Sequence, residues 1–305
     1  MAGGAAGGLT AQHVVPPVVT LVLGWIVALG FYFSASDVPT EFLGDSVLPA
    51  ALLLVAIAGP VALLFAWGEV DLSAFGALPF AGWVYAETSD AGAVVGLVAA
   101  AGACLAIGLG LGFLRWATRA PSAVVTLTTG FVLQAVAFKQ IGLGGSERIE
   151  EGIARGSGVP FLAAFVFTAL TVVAAVLLGR PAADARNGEV ARPWGPGIIV
   201  GYGLSGAAVG TYGAVVAGLD RIVVPSDGSL VLLLVFGAVA IGGVARGNHL
   251  IGPIAAVIGA LATQLLFHTG LVRNWGSFDT RLLLASLLGV CLLLSHTLHR
   301  VLAPR

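Results

Sequence analysis

The residues best suited to chemistry lie in one seven-residue segment, Trp67-Gly68-Glu69-Val70-Asp71-Leu72-Ser73. Its two carboxylates are flanked by long apolar stretches, and a carboxylate is costly to place in hydrocarbon unless it has a task. Three readings are open. Asp71 caps the helix that follows, as an Asp just before an apolar run often does. Alternatively, the pair touches a polar solute at a helix break that water reaches, or it couples an ion. A second group is Thr126, Thr128, Thr129, Phe131 and Gln134, which bring hydroxyl, aromatic and amide groups into one apolar stretch. Thr128 and Phe131 are i, i+3, and so are Phe131 and Gln134, so these three share a helix face. That face either meets a cavity or supplies hydrogen bonds between helices. His296 and His299 are spaced to share a metal, but near the end of the last apolar stretch they read as an interfacial helix end. Cys104 and Cys291 lie in apolar stretches and read as small hydrophobes.

Enzyme signatures are missing. A phosphate-binding loop needs Gly-Lys followed by Ser or Thr, and the single lysine, Lys139, stands between Phe138 and Gln140. There is no His-Glu-x-x-His zinc motif and no Gly-x-Ser-x-Gly nucleophile elbow. The expectation is a chain with no catalytic residues, no metal site and no cofactor of its own.

These residues must be positioned by membrane helices. Of the 305 residues, 58% are hydrophobic and 10% charged, and mean hydropathy is +1.02. A soluble domain carries about 25% charged residues to wet its surface. The composition therefore points to an all-α polytopic membrane protein and excludes a soluble enzyme, a nucleic-acid binder and a disulfide scaffold. Apolar segments predict about ten spans, at 14–34, 48–66, 72–86, 91–115, 121–138, 159–178, 196–217, 229–243, 251–267 and 281–302. A full span needs about 20 residues, and the third, fifth and eighth are among those that fall short. Short, Gly-interrupted segments are common around transport cavities. The first 34 residues hold no Lys or Arg, so the first stretch reads as a retained span rather than a signal peptide.

Ten spans place both termini on one side. With that side cytoplasmic, the inner loops hold Arg115, Arg119, Arg180, Arg186, Arg192, Arg246, Arg300 and Arg305, and the outer ones Lys139, Arg148, Arg155, Arg221, Arg273 and Arg281. The modest inner excess favours N-in, C-in. Gly108 and Gly112, Gly197 and Gly201, and Gly206 and Gly210 are four apart, a spacing that lets helices approach closely. The chain reads as one domain, with a short tail at 1–13 and a cytoplasmic loop at 179–195.

Three segments together resemble the ribose-type ABC transporter permeases, within the broader superfamily of branched-chain amino-acid, sugar and nucleoside permeases. Trp67 to Ser73 followed by Ala74-Phe75-Gly76-Ala77 resembles their Gly-Gly-Ile-Asp-Leu-Ser segment. Ala120 to Gly130 resembles their Pro-x-x-x-Val-Thr-Leu-x-Thr segment. Gly237 to Gly243, with Ile251-Gly252-Pro253-Ile254 and Ile258-Gly259-Ala260-Leu261 beyond, resembles their Val-Ile-Gly-Gly stretch and following helix. The three occur in family order, and the similarity spans most of residues 48–302.

The resemblance implies a permease subunit of an ABC importer in the bacterial cytoplasmic (inner) membrane. It would form a path for a monosaccharide or related solute, with branched-chain amino acids or nucleosides as alternatives. The implied partners are ABC ATPase subunits holding ATP and Mg, a second permease subunit and an extracytoplasmic solute-binding protein. Nucleic acid is not expected as a partner. By the same resemblance, Gly179-Arg180 and Asn187-Gly188-Glu189-Val190-Ala191-Arg192 match the family's ATPase-coupling loop, so Arg180, Asn187, Glu189, Ala191 and Arg192 are the coupling candidates. Asp71, Thr126, Thr128, Phe131 and Gln134 are the path candidates. Two departures stand out. Arg192 runs straight into Pro193-Trp194-Gly195-Pro196, which would break a long coupling helix, and Glu69 stands where the family has Gly. An ion-driven secondary transporter and a non-transporting scaffold subunit are the rival readings.

Overall fold

The computed structural model describes residues 11–35, 41–142, 146–149, 152–154, 157–178, 195–224, 228–244 and 250–302. Ten α-helices run through them: α1 Ala11–Phe33, α2 Leu48–Ala66, α3 Ala74–Thr88, α4 Ala93–Thr118, α5 Ser122–Ile141, α6 Val159–Leu178, α7 Gly195–Asp220, α8 Gly228–Ile241, α9 Ile251–Val272 and α10 Ser277–Leu302. A π-helical turn, Leu43–Val47, leads into α2. Eight helices are long and apolar enough to cross a bilayer, which makes this an all-α polytopic membrane protein.

The expected order of apolar segments holds throughout, while the lengths differ in part. α3 has 15 residues and α8 has 14. At about 1.5 Å per residue these reach about 21–22 Å, short of the ~30 Å hydrocarbon core. α5 corrects the expectation of a short segment. It continues through Lys139 and Gln140 to Ile141, giving 20 residues, because polar residues at a helix end lower the apolar signal without ending the helix. A two-stranded antiparallel ribbon was also not anticipated: β1 Glu147–Arg148 pairs with β2 Ile222–Val223 and ties the segment after α5 to the one after α7.

α2, α7 and α9 form the buried interior, while in α1, α4, α5, α6 and α10 about a third of the residues or fewer are buried. The seam between α4 and α7 is the most extensive contact between any two helices, and small residues make it possible. A Cβ placed on Gly108 would lie 2.2 Å from the Tyr202 carbonyl oxygen, and one on Gly206 2.2 Å from that of Cys104. Gly112 and Gly210 are equally closed, against Ile199 Cα at 2.6 Å and the Ala100 carbonyl oxygen at 2.7 Å. The backbones therefore touch, as the four-residue glycine spacing predicts. Gly76 on α3 and Gly130 on α5 make a second such crossing, with a Gly76 Cβ falling 1.8 Å from the Gly130 carbonyl oxygen.

The two short helices meet deep in the bundle. A Cβ on Gly228, the first residue of α8, would lie 1.8 Å from the carbonyl oxygen of Phe75, the second residue of α3. Pro79 lies four residues beyond Phe75 and lacks the N–H that would otherwise cover this carbonyl, which leaves room for the start of α8.

Candidate functional site

The Trp67–Ser73 segment is a break between α2 and α3, and most of its backbone N–H groups have a partner. α2 ends in a Schellman motif. Gly68 takes a positive φ of 81°, its N–H donates to Phe65 O at 2.9 Å, and the Glu69 N–H donates to Leu64 O at 2.9 Å. Beyond it the chain is not helical, and α5 supplies the missing acceptors. Val70 N–H donates to Ser122 Oγ at 3.1 Å, and Leu72 N–H to Thr126 Oγ1 at 3.0 Å. The Thr126 hydroxyl in turn lies 2.9 Å from Ser122 O and 3.2 Å from Val70 O. Non-helical backbone inside a membrane protein survives only where such partners exist.

Both carboxylates are buried, each in a residue only 3% exposed. Asp71 Oδ1 accepts from Ser73 N–H at 2.9 Å and Ser73 Oγ at 2.6 Å, and Oδ2 accepts from Ser205 Oγ on α7 at 2.7 Å. The capping expectation needs correction: Ser73 occupies the N-cap position of α3, and Asp71 acts from two residues earlier, where the start of the helix favours a negative charge. Glu69 faces a cation. Arg115, in the last turn of α4, donates through Nε to Oε2 at 2.8 Å and through Nη2 to Oε1 at 2.9 Å. This two-pronged geometry is the strong form of an ion pair. The Tyr202 hydroxyl adds a longer hydrogen bond to Oε2, at 3.3 Å. Arg115 is therefore not a loop charge, as the span count has it, but the partner of the one acidic residue that departs from the resemblance.

Trp67 packs its ring against Gly201, where a Cβ would lie 2.6 Å from Cζ3. Its buried Nε1 has no hydrogen-bond partner among the described residues. No three His, Cys, Asp or Glu side chains converge as metal ligands among the described residues. The site is thus one of hydrogen bonds and an ion pair, suited to fixing helices against one another.

The path candidates separate. Thr126 is buried against the break, with its hydroxyl engaged there. Its face of α5 continues through Gly130, Leu133 and Ala137 toward the bundle. Thr128 is exposed, Phe131 is 59% exposed and Gln134 is partly so. Among the described residues, Phe75 meets the Phe131 ring of this face edge-on at 5.1 Å. Arg180, Asn187, Glu189, Ala191 and Arg192 lie outside the described residues. His296 is exposed, and His299 places Nδ1 2.9 Å from Ser295 O on its own helix. Cys104 and Cys291 are buried free thiols.

Sequence reasoning missed Arg115, Ser122, Tyr202 and Ser205. One signal was present: a buried Glu69 requires a cation, and the chain offers few. No family model matches this chain, and comparison with curated proteins and with solved structures gives no match.

Proposed function

We propose that this chain is the membrane-spanning subunit of an ABC importer, forming the path for a monosaccharide or related small polar solute. In this reading all ten helices belong to the membrane domain, both termini face the cytoplasm, and the membrane is the bacterial cytoplasmic one. A separate ATPase docks on the loop at 179–195 and supplies the energy, an extracytoplasmic binding protein delivers solute, and a second permease subunit completes the path. Alternating access follows from a two-state bundle biased by nucleotide on the partner.

One observation carries the reading. Compared over their most apolar 18-residue stretches, α5 has the lowest mean hydropathy of the five outer helices, no higher than that of the buried α7, yet few of its residues are buried. A lipid-facing helix has no need of Thr128 and Gln134 on its outer side. A helix facing a weakly polar path does, because neutral solutes are met by hydroxyls, amides and aromatic faces rather than by charges.

Asp71 favours a second reading, ion-driven secondary transport, since its buried carboxylate has no cationic partner among the described residues. Co-purification from native membranes in mild detergent, followed by mass spectrometry, separates the two. The importer reading expects a stoichiometric ATPase, and a second permease chain if the path is heterodimeric. Recovery of the chain alone, in several detergents, discards that reading. Ion-driven exchange in liposomes, abolished by Asp71→Asn, would then establish the other.

A further inference from the structure

The break and the helices around it form a chain of attachments. α4 and α7 are locked backbone to backbone through Gly108, Gly112, Gly206 and Gly210 and act as one frame. α5 scarcely touches α4; it packs on α3. At its starting end it is held by two hydroxyls, Ser122 Oγ and Thr126 Oγ1, that accept from the break's Val70 and Leu72 N–H groups. The break is in turn fixed to the frame by Glu69, which meets Arg115 of α4 and Tyr202 of α7, and by Asp71, which meets Ser205 of α7. The α4–α5 connection is short: Arg119 in the left-handed region at φ 56°, then Ala120 and Pro121.

We infer that the Glu69–Arg115 pair is a positioning device that sets the angle of α5, and with it the Thr128–Phe131–Gln134 face, against the α4–α7 frame. The inference rests on the transport reading only for the purpose of that angle, not for its existence. A buried ion pair is a poor source of stability, because desolvation offsets the attraction, and well-packed apolar residues often replace it without loss. It is a good source of geometry. The planar fork of Arg115 admits one approach of the Glu69 carboxylate, whereas two apolar side chains in the same place would slide. Glu69 is rooted in the break directly beside Val70, whose N–H and carbonyl both address α5. A displacement of Glu69 is therefore passed to α5 through backbone rather than through flexible side chains.

The test is a pair of spin-label distances in the full-length protein in nanodiscs, with Cys104→Ala and Cys291→Ala as background. One pair joins Leu109→Cys on α4 to Leu127→Cys on α5. The other joins Leu109→Cys to Val200→Cys on α7. All three positions are exposed. The informative variant is apolar throughout, Glu69→Leu, Arg115→Leu and Tyr202→Phe, because the Tyr202 hydroxyl would otherwise lose its Glu69 acceptor and keep only the Val70 carbonyl at 3.5 Å. The expected result is an accumulating, folded protein whose α4–α5 distribution broadens by about two-fold while the α4–α7 distribution stays narrow.

A narrow α4–α5 distribution in a folded triple variant overturns the inference, as does equal broadening of both. If the triple variant does not accumulate, Arg115→Lys carries the test, since it keeps the charge and loses the fork. Broadening of α4–α5 alone supports the inference, and no change overturns it. The readout is distance, not transport, so a failed ATPase co-purification leaves this result standing.

Discussion

The α4–α7 seam and the Trp67–Ser73 break both bind α7 into the bundle, and they do it by opposite means. The seam removes side chains: glycine lets carbonyl oxygens and α-carbons of the two helices touch, and the contact is dispersion and weak Cα–H···O attraction. The break removes the helix and meets the freed backbone groups piecemeal, with Ser122 and Thr126 of α5, Asp71 within the break and the Leu64 carbonyl of α2. The seam tolerates no added atom, whereas the break tolerates no lost partner. One therefore fails by overpacking and the other by an unsatisfied charge or hydrogen bond, and substitution can separate the two.

The largest effect is expected at the break. Arg115→Leu leaves the Glu69 carboxylate buried without its cation, which costs about 3–5 kcal/mol and should appear as poor accumulation and a lowered Tm in detergent. If the cost were instead that of a solvated pair, about 0–1 kcal/mol, the break would be no more than a loop and the contrast with the seam would dissolve. At the seam, Gly108→Ala forces a methyl against the Tyr202 carbonyl, with a cost of about 2–3 kcal/mol. The control is on the same helix. Gly110 has nothing within 4 Å of an added Cβ, so Gly110→Ala should be neutral or stabilising by up to about 1 kcal/mol through helix propensity. Thermal unfolding of the two variants side by side distinguishes packing at the seam from a general intolerance of α4.

The same contrast explains what could be read from the sequence. Seam residues announce themselves because the signal is local: Gly108 and Gly112 lie on one helix at one spacing, and the structure closes that spacing on α7. Helix order was legible for the same reason, since hydropathy is a property of contiguous residues. The break was legible as a break, from Gly68 and the two carboxylates, but its partners were not. Glu69 and Arg115 are 46 residues apart in sequence, and Ser205 is 134 from Asp71. Only packing brings them together. The cost of a buried charge says that a partner must exist and not which one it is. Thr126, Thr128 and Thr129 illustrate the finer limit. Residues of one type crowd a single turn, and which of them faces inward depends on where Gly76 lets α3 approach Gly130.

Two threonines on α5 bring the comparison to a single helix. Thr126→Val keeps the shape and removes the acceptor of the Leu72 N–H, for a cost of about 1–2 kcal/mol, seen as a lowered Tm.

Thr128→Val makes the same chemical change two residues on, at an exposed position, and should alter stability by no more than about 0.5 kcal/mol. Its effect is expected in transport. If the outer face of α5 lines the path, losing one hydroxyl there removes a hydrogen bond to a passing polar solute, and uptake by cells expressing the variant should fall several-fold while the protein level stays unchanged. If that face meets lipid, valine is at least as well suited to it as threonine, and uptake should not change. A stable, fully active Thr128→Val protein, with Gln134→Leu behaving the same way, would remove the path from α5 and leave the Thr126 side, the side that holds the break, as the only polar face on that helix with an assigned role.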